Sequence, residues 1–168
     1  MQKITPFLWF DTQAEEAAKF YVSLFKNSRI TSVTRYGPGA PRPAGSVMSV
    51  TFQLKGQDFY ALNGGPHYTL TPALSLFVDC KTQKEIDALW SKLSRGGKPN
   101  QCGWVTDRFG LTWQIVPSGL GQWIQHPAAM REMLTMGKLD IKRLRAAAAS
   151  GQPAPARAAP RARRVKAK

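Results

Sequence analysis

Imidazole and thiol chemistry rest on four side chains here, because the chain holds two histidines, His67 and His126, and two cysteines, Cys80 and Cys102. His67 sits in Gly64-Gly65-Pro66-His67-Tyr68, loop text from which an imidazole could serve as general base at a cavity mouth. A single histidine with no supporting partner is more often a hydrogen-bonding surface residue, and His126, just before Pro127, has the weaker case. Cys102 precedes Gly103-Trp104 and is the thiol placed for nucleophilic work. A reactive thiol needs a base or cation to lower its pKa. The sequence sets none beside Cys102, so a buried structural cysteine is the expectation. Asp79 and Asp107 read as strand-end or turn acids without a catalytic partner.

These residues lie on a text that alternates strand and helix patterns. Ile4–Phe10 is an apolar strand, and Thr12-Gln13-Ala14-Glu15 fits a capping box that opens a helix over 13–25 with Ala17, Phe20, Tyr21 and Leu24 on one face. Strands follow at Arg29–Tyr36, Val47–Leu54 and Phe59–Asn63, separated by a Gly/Pro-dense loop at 37–45 and a hairpin turn at Lys55-Gly56-Gln57-Asp58. The pattern then recurs: strand Leu74–Asp79, a second capping box Thr82-Gln83-Lys84-Glu85 seventy residues after the first, and the face Ile86, Leu89, Trp90 and Leu93. Gly96-Gly97 stops that helix. A short strand near Lys98 and strands at Cys102–Thr106 and Leu111–Val116, joined by Arg108-Phe109-Gly110, complete a second β-α-β-β-β series. The spacing predicts an internal duplication.

The expected organisation is a domain over 1–120, with modules at about 3–63 and 73–117, and a helical extension over 121–149. In that extension Ala128–Met136 and Asp140–Ala149 read as helices. Met130, Met133, Leu134 and Met136 form an apolar face that packs on the core or on a second subunit. Residues 150–168 read as a low-complexity, disordered tail. The chain of 168 residues carries 24 Lys+Arg against 10 Asp+Glu, a net +14, yet 43% of it is hydrophobic, which excludes a wholly disordered basic protein. Six of the cations, Arg157, Arg161, Arg163, Arg164, Lys166 and Lys168, stand in the tail without an acid. Residues 157–168 could therefore contact nucleic-acid phosphates nonspecifically, and no aromatic interleaves with them to read bases. Met1–Pro6 lack a basic stretch followed by an apolar one, so no secretory leader is expected, no apolar run nears the ~18 residues of a membrane span, and the two cysteines fit neither a metal pair nor a disulfide scaffold. A soluble, reduced, cytoplasmic protein is expected.

Several blocks occur together: Pro6-Phe7-Leu8-Trp9-Phe10-Asp11, Glu15-Glu16-Ala17 running to Phe20-Tyr21, Arg35-Tyr36-Gly37, Thr71-Pro72-Ala73-Leu74-Ser75-Leu76-Phe77-Val78, Cys102-Gly103-Trp104, Asp107-Arg108-Phe109-Gly110 and Trp113-Gln114-Ile115-Val116-Pro117. In that order they resemble the PhnB-like family, which also carries the name of a 3-demethylubiquinone 3-methyltransferase domain. That family belongs to the vicinal-oxygen-chelate, or glyoxalase/bleomycin-resistance/dioxygenase, superfamily. The resemblance covers about residues 3–145. It implies an α+β fold of two βαβββ modules forming a curved mixed sheet around a cavity, with a C-terminal helical extension, usually in a homodimer.

The resemblance also implies four strand positions that hold one divalent metal in superfamily enzymes. Counted from the landmarks of each module, they fall on Thr5 and Ser75, seven residues before Thr12 and Thr82, and on Tyr60 and Gln114, four residues after Gly56 and Gly110. This set holds no imidazole and no carboxylate, and neutral hydroxyl and amide oxygens bind transition metals weakly. No metal ligand set and no cofactor is therefore expected. A divalent metal remains the alternative, in a lyase, isomerase or dioxygenase of the glyoxalase kind with His67 and Gln114 helping to hold the ion. The methyltransferase name finds no support in a glycine-rich strand-to-helix loop that would cradle a nucleotide-derived methyl donor, since Gly119-Leu120-Gly121 reads as a linker.

Strand alternation places Thr5, Phe7 and Trp9 on one face, and Ser75, Phe77 and Asp79 on one face. With Tyr60, Trp104 and Gln114 they line an aromatic cavity suited to a flat or hydrophobic small molecule. The competing expectation is that the rings simply fill the core. The first reading is thus a cytoplasmic homodimer that binds a small organic ligand without a tightly held metal, with no residue that establishes catalysis. The metal-dependent enzyme and the nucleic-acid-associated protein stand as alternatives.

Overall fold

Period-two alternation in the strands and a 3.6-residue period in the helices give every sheet one face to bury, and each module covers that face with a helix. The computed structural model describes residues 3–150, so residues 151–168 of the expected tail lie outside the described residues. The order is β1 (Phe7–Phe10), α1 (Ala14–Leu24), β2 (Arg29–Arg35), β3 (Val47–Leu54), β4 (Gln57–Asn63), β5 (Ser75–Cys80), α2 (Gln83–Leu93), β6 (Lys98–Pro99), β7 (Trp104–Thr106), β8 (Thr112–Pro117), α3 (Leu120–Trp123), α4 (Pro127–Leu134) and α5 (Ile141–Ser150). Two four-stranded sheets result, β1-β4-β3-β2 and β5-β8-β7-β6. In each, the first strand of the module runs parallel to the fourth, and the other pairs are antiparallel.

The duplication reaches single hydrogen bonds. The residue after β4 donates back to the end of β1, Gly64 N to Phe10 O at 2.9 Å, and the residue after β8 does the same to β5, Ser118 N to Cys80 O at 2.8 Å. No ladder joins β1 to β5, so the α+β fold of two βαβββ modules is present while the sheets stay unclosed.

Both modules share one core on their helix-bearing sides. Leu8, Phe10, Phe52, Phe59 and Ala61 from the first sheet meet Val105, Trp113 and Ile115 from the second, with Tyr21 of α1 and Ile86 and Leu93 of α2 between them. Tyr21 stands edge-on to Trp113, with ring centroids 5.3 Å apart, and so ties α1 to the second module. Each large side chain of this kind contributes roughly 1.5–3 kcal/mol when fully buried. The buried Ala14, Ala17 and Ala18 let α1 sit close to its sheet.

The first predicted capping box is not formed. Gln13, not Thr12, precedes α1 and its side chain caps nothing. Instead the Ala14 amide donates to Asn63 Oδ1 at 2.8 Å, and Asn63 Nδ2 donates to Val47 O at 3.0 Å. A buried amide at the end of β4 thus replaces the local cap, and Glu15 turns outward to Lys19 at 2.7 Å and Arg35 at 3.3 Å. The second box is formed: Thr82 Oγ1 accepts from Glu85 N, and Glu85 Oε2 accepts from Thr82 N, both at 3.2 Å.

Strand limits also shift. β1 begins at Phe7, leaving Thr5 before it, β4 extends back to Gln57, and β7 begins at Trp104 rather than Cys102. Cys102 and Gly103 take φ of 58° and 83°, a left-handed conformation that no strand adopts. A Cβ on Gly103 would lie 2.7 Å from Ile115 O, so the glycine is required there. The amides of both residues donate to Met136 O and Gly137 O at 2.7 Å, which docks the extension onto the second module.

Gly119-Leu120-Gly121, read as a linker, instead opens the short helix α3. Met136, Leu139 and Leu144 form a small buried cluster of the extension, whereas Leu134 of the predicted apolar face is exposed. Gln83 grips the extension from α2, donating to Leu139 O at 3.1 Å and accepting from Ile141 N at 2.9 Å. Among the described residues no helix is long and apolar enough to cross a membrane.

Candidate functional site

Where Leu8 and Phe10 of β1 point into the core, Phe7 and Trp9 must point to the opposite face, and Phe7 is 59% exposed. The same alternation in β5 leaves Phe77 62% exposed while Cys80 is buried. Phe7 and Phe77 lie seventy residues apart and hold equivalent places in the two modules. Phe7 is in register with Tyr60, their rings stacked with centroids 6.0 Å apart. Phe77 is in register with Gln114, which is in turn in register with Trp104. The rings therefore do not fill the core, and the outer face of each sheet carries an aromatic row. Trp113, by contrast, is a core residue.

The row on the second module has a polar centre. Gln114 Nε2 donates to Ser75 Oγ at 2.8 Å, which fixes the carboxamide between the half-buried Trp104 and the exposed Phe77. Its carbonyl oxygen makes no hydrogen bond among the described residues, and so remains an acceptor for a ligand. In the first module Trp9 is held from behind. Its Nε1 donates to Gly65 O at 2.8 Å and its ring meets Tyr68 edge-on at 5.0 Å. Gly64 allows this, because a Cβ there would fall 2.2 Å from the Trp9 ring.

His67 lies exposed in that same loop, and no contact joins it to Gln114 among the described residues. His126 precedes α4 at its N-cap, and its side chain caps nothing. The four positions Thr5, Tyr60, Ser75 and Gln114 offer hydroxyls and one amide, with Ser75 and Gln114 bonded to each other, and such a donor set does not fit a divalent cation. Among the described residues no three His, Cys, Asp or Glu side chains gather as a metal site.

The remaining chemical groups have structural partners. Burial pushes the Cys80 thiol up to about 11, with the charges of Glu85 and Asp79 acting in the same direction, so it stays a thiol at neutral pH. Cys102 Sγ lies 3.7 Å from Met133 O, and neither cysteine is paired in a disulfide. Asp79 accepts from Ser118 Oγ at 2.8 Å.

Asp107, expected as a plain turn acid, is 4% exposed and anchors three donors: Phe109 N at 2.8 Å, Leu111 N at 3.1 Å and Trp113 Nε1 at 2.8 Å. Burial raises its pKa from the ordinary aspartate value, and the donors, led by Trp113, oppose that rise. Tyr21 Oη is buried beside it without a partner of good geometry, and burial followed by the Asp107 charge pushes that phenol well above its ordinary value. The Asp-x-x-Gly text of the turn is the local signal for the backbone contacts. The Trp113 contact has no such signal.

A cavity of about 740 Å³ opens elsewhere, where the end of α1 and the β3–β4 hairpin face β5 and α2. Of the expected cavity residues it includes Phe77 and none of the others. Sequence reasoning missed it because its walls come from several elements whose proximity has no local signature.

A family model described as 3-demethylubiquinone-9 3-methyltransferase matches residues 2–116. A PhnB protein from Bacillus cereus that carries the same methyltransferase name is 40% identical, with a TM-score of 0.64 over 70% of this chain and all of that one. The protein PA1353 from Pseudomonas aeruginosa is 21% identical, with a TM-score of 0.55 over 67% of this chain and 95% of its own. A glyoxylase/bleomycin resistance protein/dioxygenase domain from Frankia sp. EAN1pec is 11% identical, with a TM-score of 0.40 over 67% of this chain and 89% of that one. No curated protein matches.

Proposed function

Because the chain belongs to the 3-demethylubiquinone-9 3-methyltransferase, or PhnB-like, family, we propose that it binds a small planar organic ligand against its outer aromatic faces. The observation that carries this reading is the row Phe77, Gln114 and Trp104, two rings flanking an oriented amide whose oxygen is open. Rings give apolar area at low entropy cost, and one acceptor sets the orientation of a phenol-like or amide-like edge.

Phe7 and Phe77 are too exposed to bury a ligand from within a single copy. A second copy of the chain supplies the missing wall, so the binding form is a homodimer. The neutral donor set at Thr5, Tyr60, Ser75 and Gln114 argues for binding without a tightly held divalent metal. The two unpaired cysteines suit a reducing, cytoplasmic setting.

Titration of the full chain with 1-naphthol, followed by tryptophan quenching and calorimetry, tests the reading. Saturable binding that Trp104→Ala weakens about tenfold supports it. Absence of saturable binding, or an unchanged affinity in Trp104→Ala, overturns it. Sedimentation gives the dimer. Elemental analysis of protein purified without added ions gives the metal, where near-stoichiometric zinc, nickel, manganese or iron would sink the metal-free part.

A further inference from the structure

Lys26, Lys55 and Lys92 line the 740 Å³ cavity between the two modules, and none of the three joins an ion pair among the described residues. The two acids at the same cavity are already engaged. Glu85 accepts from the amides of Lys81 and Thr82, and Asp79 accepts from Ser118. The mouth is therefore exposed and carries three lysines, none of them paired with either carboxylate. Behind it the walls are apolar, with Leu54, Phe59, Leu76, Leu89 and Trp113 among them. The volume lies within the ~300–1,000 Å³ common for small-ligand sites.

We infer that this cavity binds an amphipathic carboxylate, a linear acyl chain of medium length. Its hydrocarbon lies between Phe59, Leu89 and Trp113, and its carboxylate is held at the rim by the lysine amines. An apolar wall alone would accept many occupants. The three unpaired cations select one with an anionic head, through charge-assisted hydrogen bonds that a neutral alcohol does not make. Lys92 also stands in the last turn of α2, where a cation offsets the helix dipole without any ligand. Lys55 has no such reason. It occupies the first central position of the two-residue β3–β4 turn at φ 47°, a place that Asn or Gly fills with less strain. The site shares Phe77 with the outer aromatic row and otherwise stands apart, so it does not rest on the planar-ligand reading.

Calorimetric titration of the full chain with sodium decanoate, kept below micellisation, tests the inference, with 1-octanol and acetate separating tail from head. The expected result is saturable binding of one decanoate per chain, at least tenfold tighter than octanol, with no binding of acetate. Lys55→Asn combined with Lys92→Gln lowers decanoate affinity about tenfold or more. Ala88→Phe, on an exposed helical position at the cavity, blocks it by filling space, and Ala88→Glu blocks it by repulsion. Trp104→Ala leaves it unchanged, which distinguishes failure here from failure of the aromatic-face reading. Circular dichroism melts confirm that each variant folds. Absence of saturable decanoate binding overturns the inference, as does wild-type affinity in both Ala88 variants or equal affinity for decanoate and octanol. If the wild type sediments as a dimer, takes up no decanoate, and Ala88→Phe sediments as a monomer, a second copy covers the cavity and the inference fails.

Discussion

The two modules share one topology and build it with different parts. In the first, α1 starts without a side-chain cap of its own and borrows Asn63 from the end of β4. In the second, α2 carries a complete local capping box at Thr82 and Glu85. The β3–β4 turn is two residues in left-handed conformations, Lys55 and Gly56, whereas the β7–β8 turn is organised around the buried carboxylate of Asp107. The outer positions differ in kind as well: Phe7 meets Tyr60, and Phe77 meets Gln114. Repeated apolar spacing is thus enough to repeat the fold, while the polar groups that finish each module are free to diverge. That freedom is what puts a hydrogen-bonding centre on one sheet face and a stacked pair on the other.

The asymmetry of the turns predicts the largest effect. Asp107→Ala leaves three donors without their acceptor in a buried place and costs about 2–4 kcal/mol. Lys55→Asn, in the corresponding turn of the first module, is neutral or slightly stabilising. Urea unfolding of the two variants measures both, and equal destabilisation would break the contrast.

The equivalent strand positions Phe10 and Cys80 provide the next test. The thiol at about 11, against an ordinary 9.0, holds roughly 100-fold less thiolate near neutral pH. Iodoacetamide should therefore label native Cys80 at least about 100-fold more slowly than the unfolded chain, as mass spectrometry of labelled peptides can follow.

The helix starts give a smaller difference. Asn63→Ala removes two hydrogen bonds at a buried site and costs about 1–3 kcal/mol, while Thr82→Ala removes an exposed cap and costs about 1 kcal/mol. If Thr82→Ala proved the costlier in thermal melts, the tertiary cap would be the weaker device.

The smallest effect is a pH dependence. Asp107 has a folded pKa raised above its unfolded value, so its protonated form favours the fold. That contribution is fully present below the unfolded pKa near 3.8 and is lost as pH rises through the folded pKa. The stability advantage of the wild type over Asp107→Asn should accordingly shrink as pH rises through that window. Glu15 and Asp87 run oppositely, because their lysine partners lower them, so their support is lost as pH falls. Glu15 is half-buried and Asp87 exposed, both pairs lie at the surface, and salt screens them.

Much of the architecture could be read from the chain, and the reasons are local. Met48–Leu54 alternates apolar with polar residues, and the observed strand Val47–Leu54 has the expected ends. Thr82 and Glu85 stand three residues apart, so their reciprocal bonds need nothing beyond one helical turn. The same text at Thr12 failed because a competing acceptor, Asn63, lies 49 residues from Ala14. The strand expected from Cys102 likewise lost two residues to contacts with Met136 and Gly137 more than thirty residues away. For the candidate site, alternation separated Phe7 and Phe77 from the core residues Leu8 and Cys80. It could not foresee that Ser75 would fix Gln114, 39 residues away, or that Trp113 would point inward to Asp107.

By itself, then, the sequence determined the two βαβββ units, the faces their strands bury and the family they belong to, since periodicity and short-range capping act within a few residues. Tertiary structure alone decided which acceptor caps α1, where the Asp107 carboxylate is buried, and that three lysines from the segment after α1, the β3–β4 hairpin and α2 share one apolar cavity. Those outcomes depend on groups brought together across tens of residues, and hydrogen bonding and burial are settled only once the chain has closed around them.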